Sequence, residues 1–137
     1  MQNNIAKNKE LIESYFHDVW NKGEVDLLDK LLAPDYINHS PGMQSPPPGP
    51  VGLKPIIIGM RKAIPDLNYE IQDLVITEDK IVARVKLRGT HLGELWGIKP
   101  SGGKIEVNQI NIEHIRDGRI VEHWRLTDDL TLMKQLS

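Results

Sequence analysis

The chain has 137 residues, 39% of them apolar, enough to bury a core without disulfides or metal, and a single domain over residues 1–137 is the expectation. Its 17 basic and 19 acidic residues give a formal net charge of -2, so no basic field draws in a nucleic acid backbone. The absence of cysteine excludes disulfide frameworks, thiolate nucleophiles and zinc-thiolate sites; with a polar N-terminus and no apolar run of membrane-spanning length, a cytoplasmic protein without nucleic acid or membrane partners is expected.

In chain order, apolar residues at Ile5, Ile12, Phe16 and Val19, widened by Leu11, Tyr15 and Trp20, predict an amphipathic helix over 5–20, with Gly23 as its C-terminal stop. The segment 24–34 repeats the pattern, with Val25, Leu28, Leu31 and Leu32 inward and Pro34 ending it. Residues 35–39 (DYINH) read as a short extended segment. The following 40–52, SPGMQSPPPGPVG, holds five prolines and three glycines, which regular structure does not tolerate, so it reads as a long loop inside the domain. A third helix is expected over 53–64, with Pro55 in its first turn and Pro65 closing it.

The period then changes. Residues 68–77, 81–90, 105–115 and 119–126 alternate or are rich in β-branched side chains, as half-buried strands are. Glu78-Asp79 and Asp117-Gly118 sit where tight hairpin turns belong, and DDLTLMKQLS closes the chain as a short helix. Helices first and a meander after them predict an α+β fold, a curved and mainly antiparallel sheet packed against the N-terminal helices.

If Asp117-Gly118 forms a two-residue turn, counting outward pairs Asn111 with Trp124 and Gln109 with Leu126. One face then holds Gln109, Asn111, Trp124 and Asp128, and the other Ile110, Ile112, His114, Val121, His123 and Arg125; parity alone leaves open which is inside. The first face offers an aromatic wall, two amides and a carboxylate, a lining for an oxygen-rich apolar ligand. Asp128 is equally an N-cap for the last helix, and Asp129 a first-turn acid. His39 is a loop histidine or a pocket group. His91 shares parity with Ile81, Ala83, Val85 and Leu87, so it points inward as a ligand contact or as a structural histidine. Tyr15 belongs to the helical stripe and is core unless it reaches a cavity. His114 and His123 share a face by this count, but two histidines without a third ligand make no metal site.

The run RGTHLGELWGIKPSGGKIEVNQINIEHIRDGRIVEHWRLTDDLTLMKQL, with YINHSP at 36–41 and IPDL at 64–67, resembles the SnoaL-like polyketide cyclases of the nuclear-transport-factor-2-like superfold. The departures are Ser101 where threonine is common, Arg119 where lysine is common, and no glycine after Gln135-Leu136. The resemblance implies a cone-shaped α+β barrel. It also implies a cofactor-independent acid/base enzyme closing a ring by aldol condensation in a small hydrophobic carbonyl compound held in an enclosed pocket. It assigns Asp128 to acid/base catalysis, brings His39 to the pocket as a second catalytic candidate, and favours the Trp124 face as the inner one because the family motif ends there. Trp124, Asn111 and Gln109 from the register, with His91 and Tyr15, are then the substrate-binding candidates, and neither metal nor cofactor is expected. A homodimer or homotetramer is implied too. Two alternatives stay open: an epoxide hydrolase of the limonene-epoxide-hydrolase type, which needs Arg84 turned inward beside Asp128, or a non-catalytic ligand-binding or association module.

Overall fold

The structure, a computed structural model, describes residues 2–42 and 45–137; Met43 and Gln44, in the loop expected over 40–52, lie outside the described residues. Helix α1 (Gln2–Ser14) runs directly into a π-helical segment, Tyr15–Asn21. The wider π turn brings two adjacent pairs, Tyr15 with Phe16 and Val19 with Trp20, to the same buried side. Gly23, at φ 80°, ends the segment with its N–H donating to the Val19 carbonyl at 2.9 Å.

The expected helix over 24–34 is only a 3-10 turn (Val25–Leu27) and one α turn, α2 (Leu28–Leu31). Strand β1 (Leu32–Asn38) starts earlier than the pattern suggested. Pro34 explains this, because it removes an N–H and pushes the residue before it toward extended backbone. Helix α3 (Pro50–Ala63) also starts earlier, at Pro50 rather than Leu53, which leaves Pro55 inside the helix beyond its first turn. Strands β2 (Asn68–Ile76), β3 (Lys80–Thr90), β4 (Lys104–Arg116) and β5 (Arg119–Thr127) follow, and α4 (Asp129–Leu136) closes the chain.

The sheet order is β1-β5-β4-β3-β2. β1 is parallel to β5 and the other pairs are antiparallel, so the α+β sheet is mainly antiparallel, with β1 and β2 as free edges. One face packs on the helices: Ile81, Ala83, Val85 and Leu87 of β3, with Ile105 and Val107 of β4, are buried in one core with Ile12, Phe16, Val19 and Ile57.

The β4–β5 register corrects the count made from the turn. Arg116 pairs with Arg119 and Ile115 with Ile120, but His114 then pairs with Glu122, skipping Val121. This is a β-bulge, one extra residue on β5. Beyond it Ile112 faces Trp124, Asn111 faces Arg125 and Gln109 faces Thr127. Every side chain of β5 past the bulge is therefore on the opposite face from that expected. Gln109 and Asn111 stay inside, His123 and Arg125 join them, and Trp124 goes to the outer face, with His114.

Candidate active site

Along β4 the inward positions run Ile105, Val107, Gln109, Asn111, Glu113, Ile115, and all six are buried. Three successive polar side chains interrupt an apolar row. A buried polar group costs free energy unless it is bonded, so such a row in a core calls for partners. β5 supplies two: His123 is buried opposite Glu113, and Arg125 is half-buried opposite Asn111. Glu113 Oε1 lies 2.6 Å from His123 Nδ1, a short hydrogen bond between two buried side chains. Three buried atoms of this region, Tyr36 Oη, Asn111 Nδ2 and Glu113 Oε2, have no hydrogen-bond partner among the described residues.

The row leads into a cavity of about 410 Å³. Its floor includes Gln109 and Arg125 beside Trp20, Tyr69 and Leu87; Ile56, Gly59 and Met60 of α3 form one wall, and Leu95 and Trp96 of the 91–103 connection another. Leu132 of α4 closes part of the remainder. Asn111 and Glu113 lie one and two inward positions beyond Gln109 on β4, past the open volume. The helix end is fixed to the sheet at this point: Asn21 Nδ2 donates to the Tyr69 carbonyl (2.9 Å) and Tyr69 N donates to Asn21 Oδ1 (2.6 Å). Arg61 Nη1 donates to the carbonyls of Trp20 (2.8 Å) and Asn21 (2.7 Å). Tyr69 Oη accepts from Gln109 Nε2 at 3.4 Å. Burial, the largest cause, pushes the hydroxyls of Tyr15 and Tyr36 well above the ordinary phenol value and raises that of Tyr69. They remain O–H groups at any ordinary pH.

The residues singled out from the sequence are thus divided. Gln109 lines the cavity, and Asn111 sits in the row beneath it. Tyr15 is buried in the core, its ring edge-on to Phe16 at 5.0 Å, within the fields of Glu113 and Arg125 but not on the cavity wall. His91 is fully buried but serves a loop: Ser101 N donates to its Nδ1 at 3.2 Å, and backbone bonds to Gly102 and Gly103 hold the connection that carries Trp96. Trp124 and His39 lie on the outer face, their rings stacked 4.5 Å apart. His114 and His123, counted onto one face, are on opposite faces, with His114 4.6 Å from the Trp124 ring.

Asp128 lies at the surface. It is the N-cap of α4, its Oδ1 accepting from Thr131 N (3.2 Å) and its Oδ2 from Thr131 Oγ1 (2.7 Å). The Thr131 hydroxyl, then its N–H, hold the carboxyl below its usual range, the direction opposite to that a general base requires. Asp129, expected only as a first-turn acid, reaches the cavity wall. Arg84 is exposed on the outer face opposite Ile110, so it does not meet Asp128. Sequence reasoning missed Glu113, His123 and Arg125. The three polar residues at alternate positions of β4 were the readable sign of the first, whereas the other two were hidden by the bulge.

The fold has counterparts among known proteins. TsrD of Streptomyces laurentii superposes with a TM-score of 0.87 at 32% identity, over 96% of each chain. IdmH of Streptomyces antibioticus gives 0.79 at 33% identity, over 93% of this chain and 96% of that one. The aklanonic acid methyl ester cyclase AcmA of Streptomyces galilaeus is 27% identical over 99% of this chain and 92% of its own length. Residues 10–136 match the model of one family, described as SnoaL-like polyketide cyclase, and the chain belongs to that family.

Proposed function

We propose that this chain is a cofactor-independent enzyme that closes a ring in a small carbonyl compound by aldol chemistry, with His123 as the acid/base group. The observation that carries this is the buried Glu113–His123 pair at 2.6 Å, set in a row of polar side chains that continues into the cavity. A carboxylate bonded to Nδ1 fixes the imidazole tautomer and orientation, leaving Nε2 to exchange a proton. His123 lies beyond the wall of the open cavity, so in the proposed cycle the reacting end of the ligand enters past Gln109, where Nε2 removes a proton from a carbon flanked by two carbonyls. The resulting enolate carbon bonds to a ketone carbon, and the new alkoxide takes the proton back from the imidazolium. Glu113 stabilises the imidazolium between the two proton transfers. The amide of Gln109, on the cavity floor, is placed to donate to the enolate oxygen. Relatives that cyclise the methyl esters of aklanonic and nogalonic acid support ring closure as the reaction class.

Proton removal can be followed alone, as deuterium exchange at the central carbon of a 2-substituted 1,3-diketone in heavy water, read by NMR. His123→Asn and Glu113→Gln are expected to slow the catalysed exchange by about 10²-fold or more, with Asp128→Asn within a few-fold of wild type. Exchange lost in Asp128→Asn and kept in His123→Asn would return the proton to Asp128 and sink this assignment.

A further inference from the structure

The cavity holds a cation that forms no ion pair among the described residues. Arg125 is half-buried and on the cavity floor. Its backbone N–H donates to Ser40 Oγ at 2.9 Å and its Nη2 donates to the Ser40 carbonyl at 3.0 Å. Those contacts position the guanidinium, use one of its side-chain N–H groups and supply no charge. None of the ion pairs among the described residues includes Arg125. Three carboxylates come near. Glu113, whose field reaches the same tyrosines as that of Arg125, is engaged by His123. Glu94 and Asp129 reach the cavity wall but are solvent-exposed and unbonded to the guanidinium. Taking a guanidinium part-way out of water without a counter-ion costs free energy that a bound anion offsets.

From this we infer that the ligand is an organic acid in its ionised form, its carboxylate paired with Arg125 and its apolar body lying between Trp20, Trp96 and Met60. The inference rests on the cavity being the substrate site and deepens that reading by naming the substrate's charge. The chemistry of the wall selects this class. A planar fork of N–H donors matches the two oxygens of a carboxylate, and an ester offers neither the charge nor the second equivalent oxygen. Gln109 and Tyr69 stand beside the guanidinium for the neutral oxygens of the same ligand, and the aromatic and aliphatic walls suit a flat body.

The test uses two inert probes, anthraquinone-2-carboxylate and its methyl ester, titrated against the full chain and followed by quenching of tryptophan fluorescence. Wild type is expected to bind the acid about tenfold or more tighter than the ester, as a charge-assisted pair implies. Arg125→Met should bring the acid down to the ester's affinity, and Arg125→Lys should keep part of the preference as a point charge. Equal or tighter binding of the ester by wild type, no binding of the acid, or an acid preference that survives in Arg125→Met would each overturn the inference. The comparison within wild type decides the matter even if a variant fails to fold. Since no turnover is involved, a failed assignment of His123 leaves this result untouched, and a missing acid preference leaves the exchange experiment intact.

Discussion

At the scale of single residues, Asp128 shows how a carboxylate at a motif-bearing position can be committed to backbone work. Its oxygens are both bonded by Thr131, and its folded pKa lies below the unfolded value of about 3.9. Its contribution to stability is therefore present above that unfolded value and is lost as pH falls through the folded one. Asp128→Ala should lower the melting midpoint by a few degrees at neutral pH, with the gap to wild type closing under acid conditions. A gap that does not change with pH would show that the carboxylate's charge contributes nothing. The buried tyrosines run the other way. Their folded pKa values are raised, so whatever stability they confer is complete below about pH 10 and declines above it.

At the scale of elements, the extra residue on β5 decides the site. Because Val121 is the residue without a partner on β4, deleting it should leave Ile120, His123 and Arg125 facing inward and lower stability by about 1–3 kcal/mol at most. Inserting one alanine beside it should instead drive Trp124 and Leu126 toward the core and His123 and Arg125 out, and abolish cooperative thermal unfolding. Melting curves and acid binding on the two variants check this; folding of the insertion with the acid still bound would count against the bulge as the determinant. The strands themselves were legible because period-2 patterning is a local property: β2 to β5 fall within two residues of their expected ends. The alternation of β4 was legible too, although parity left open which of its two sets is inward. The pairing across the turn was not, because a bulge depends on which of two faces packs better on the helices, and that is settled by residues far away in the chain. The same bulge turns Trp124 outward, whereas Asp128 leaves the strand alternation because β5 ends at Thr127 and its carboxylate caps α4. α2 shrank because Pro34 outweighed the apolar repeat preceding it, a local conflict that spacing alone does not weigh.

At the scale of the whole molecule, the sheet has an unpaired outer face. Ile110, Ile112, Trp124 and Leu126 lie on it, with Ile110 47% and Leu126 76% exposed. Apolar surface of this kind is commonly covered by another protein surface. Self-association as a homodimer or homotetramer is the expected outcome, and sedimentation of wild type beside Ile112→Asp, which places a charge in mid-face, checks it. A wild-type monomer at micromolar concentration would rule it out. No helix among the described residues is long and apolar enough to cross a membrane. The bulge also governs how this chain should be compared with others. A relative of equal length whose β5 paired regularly would spell the same residues yet present the alternate set to its ligand, while one that is a residue shorter would present the same set. Alignment by letters is then blind to the difference, and transferring a catalytic role along this strand requires knowing its phase.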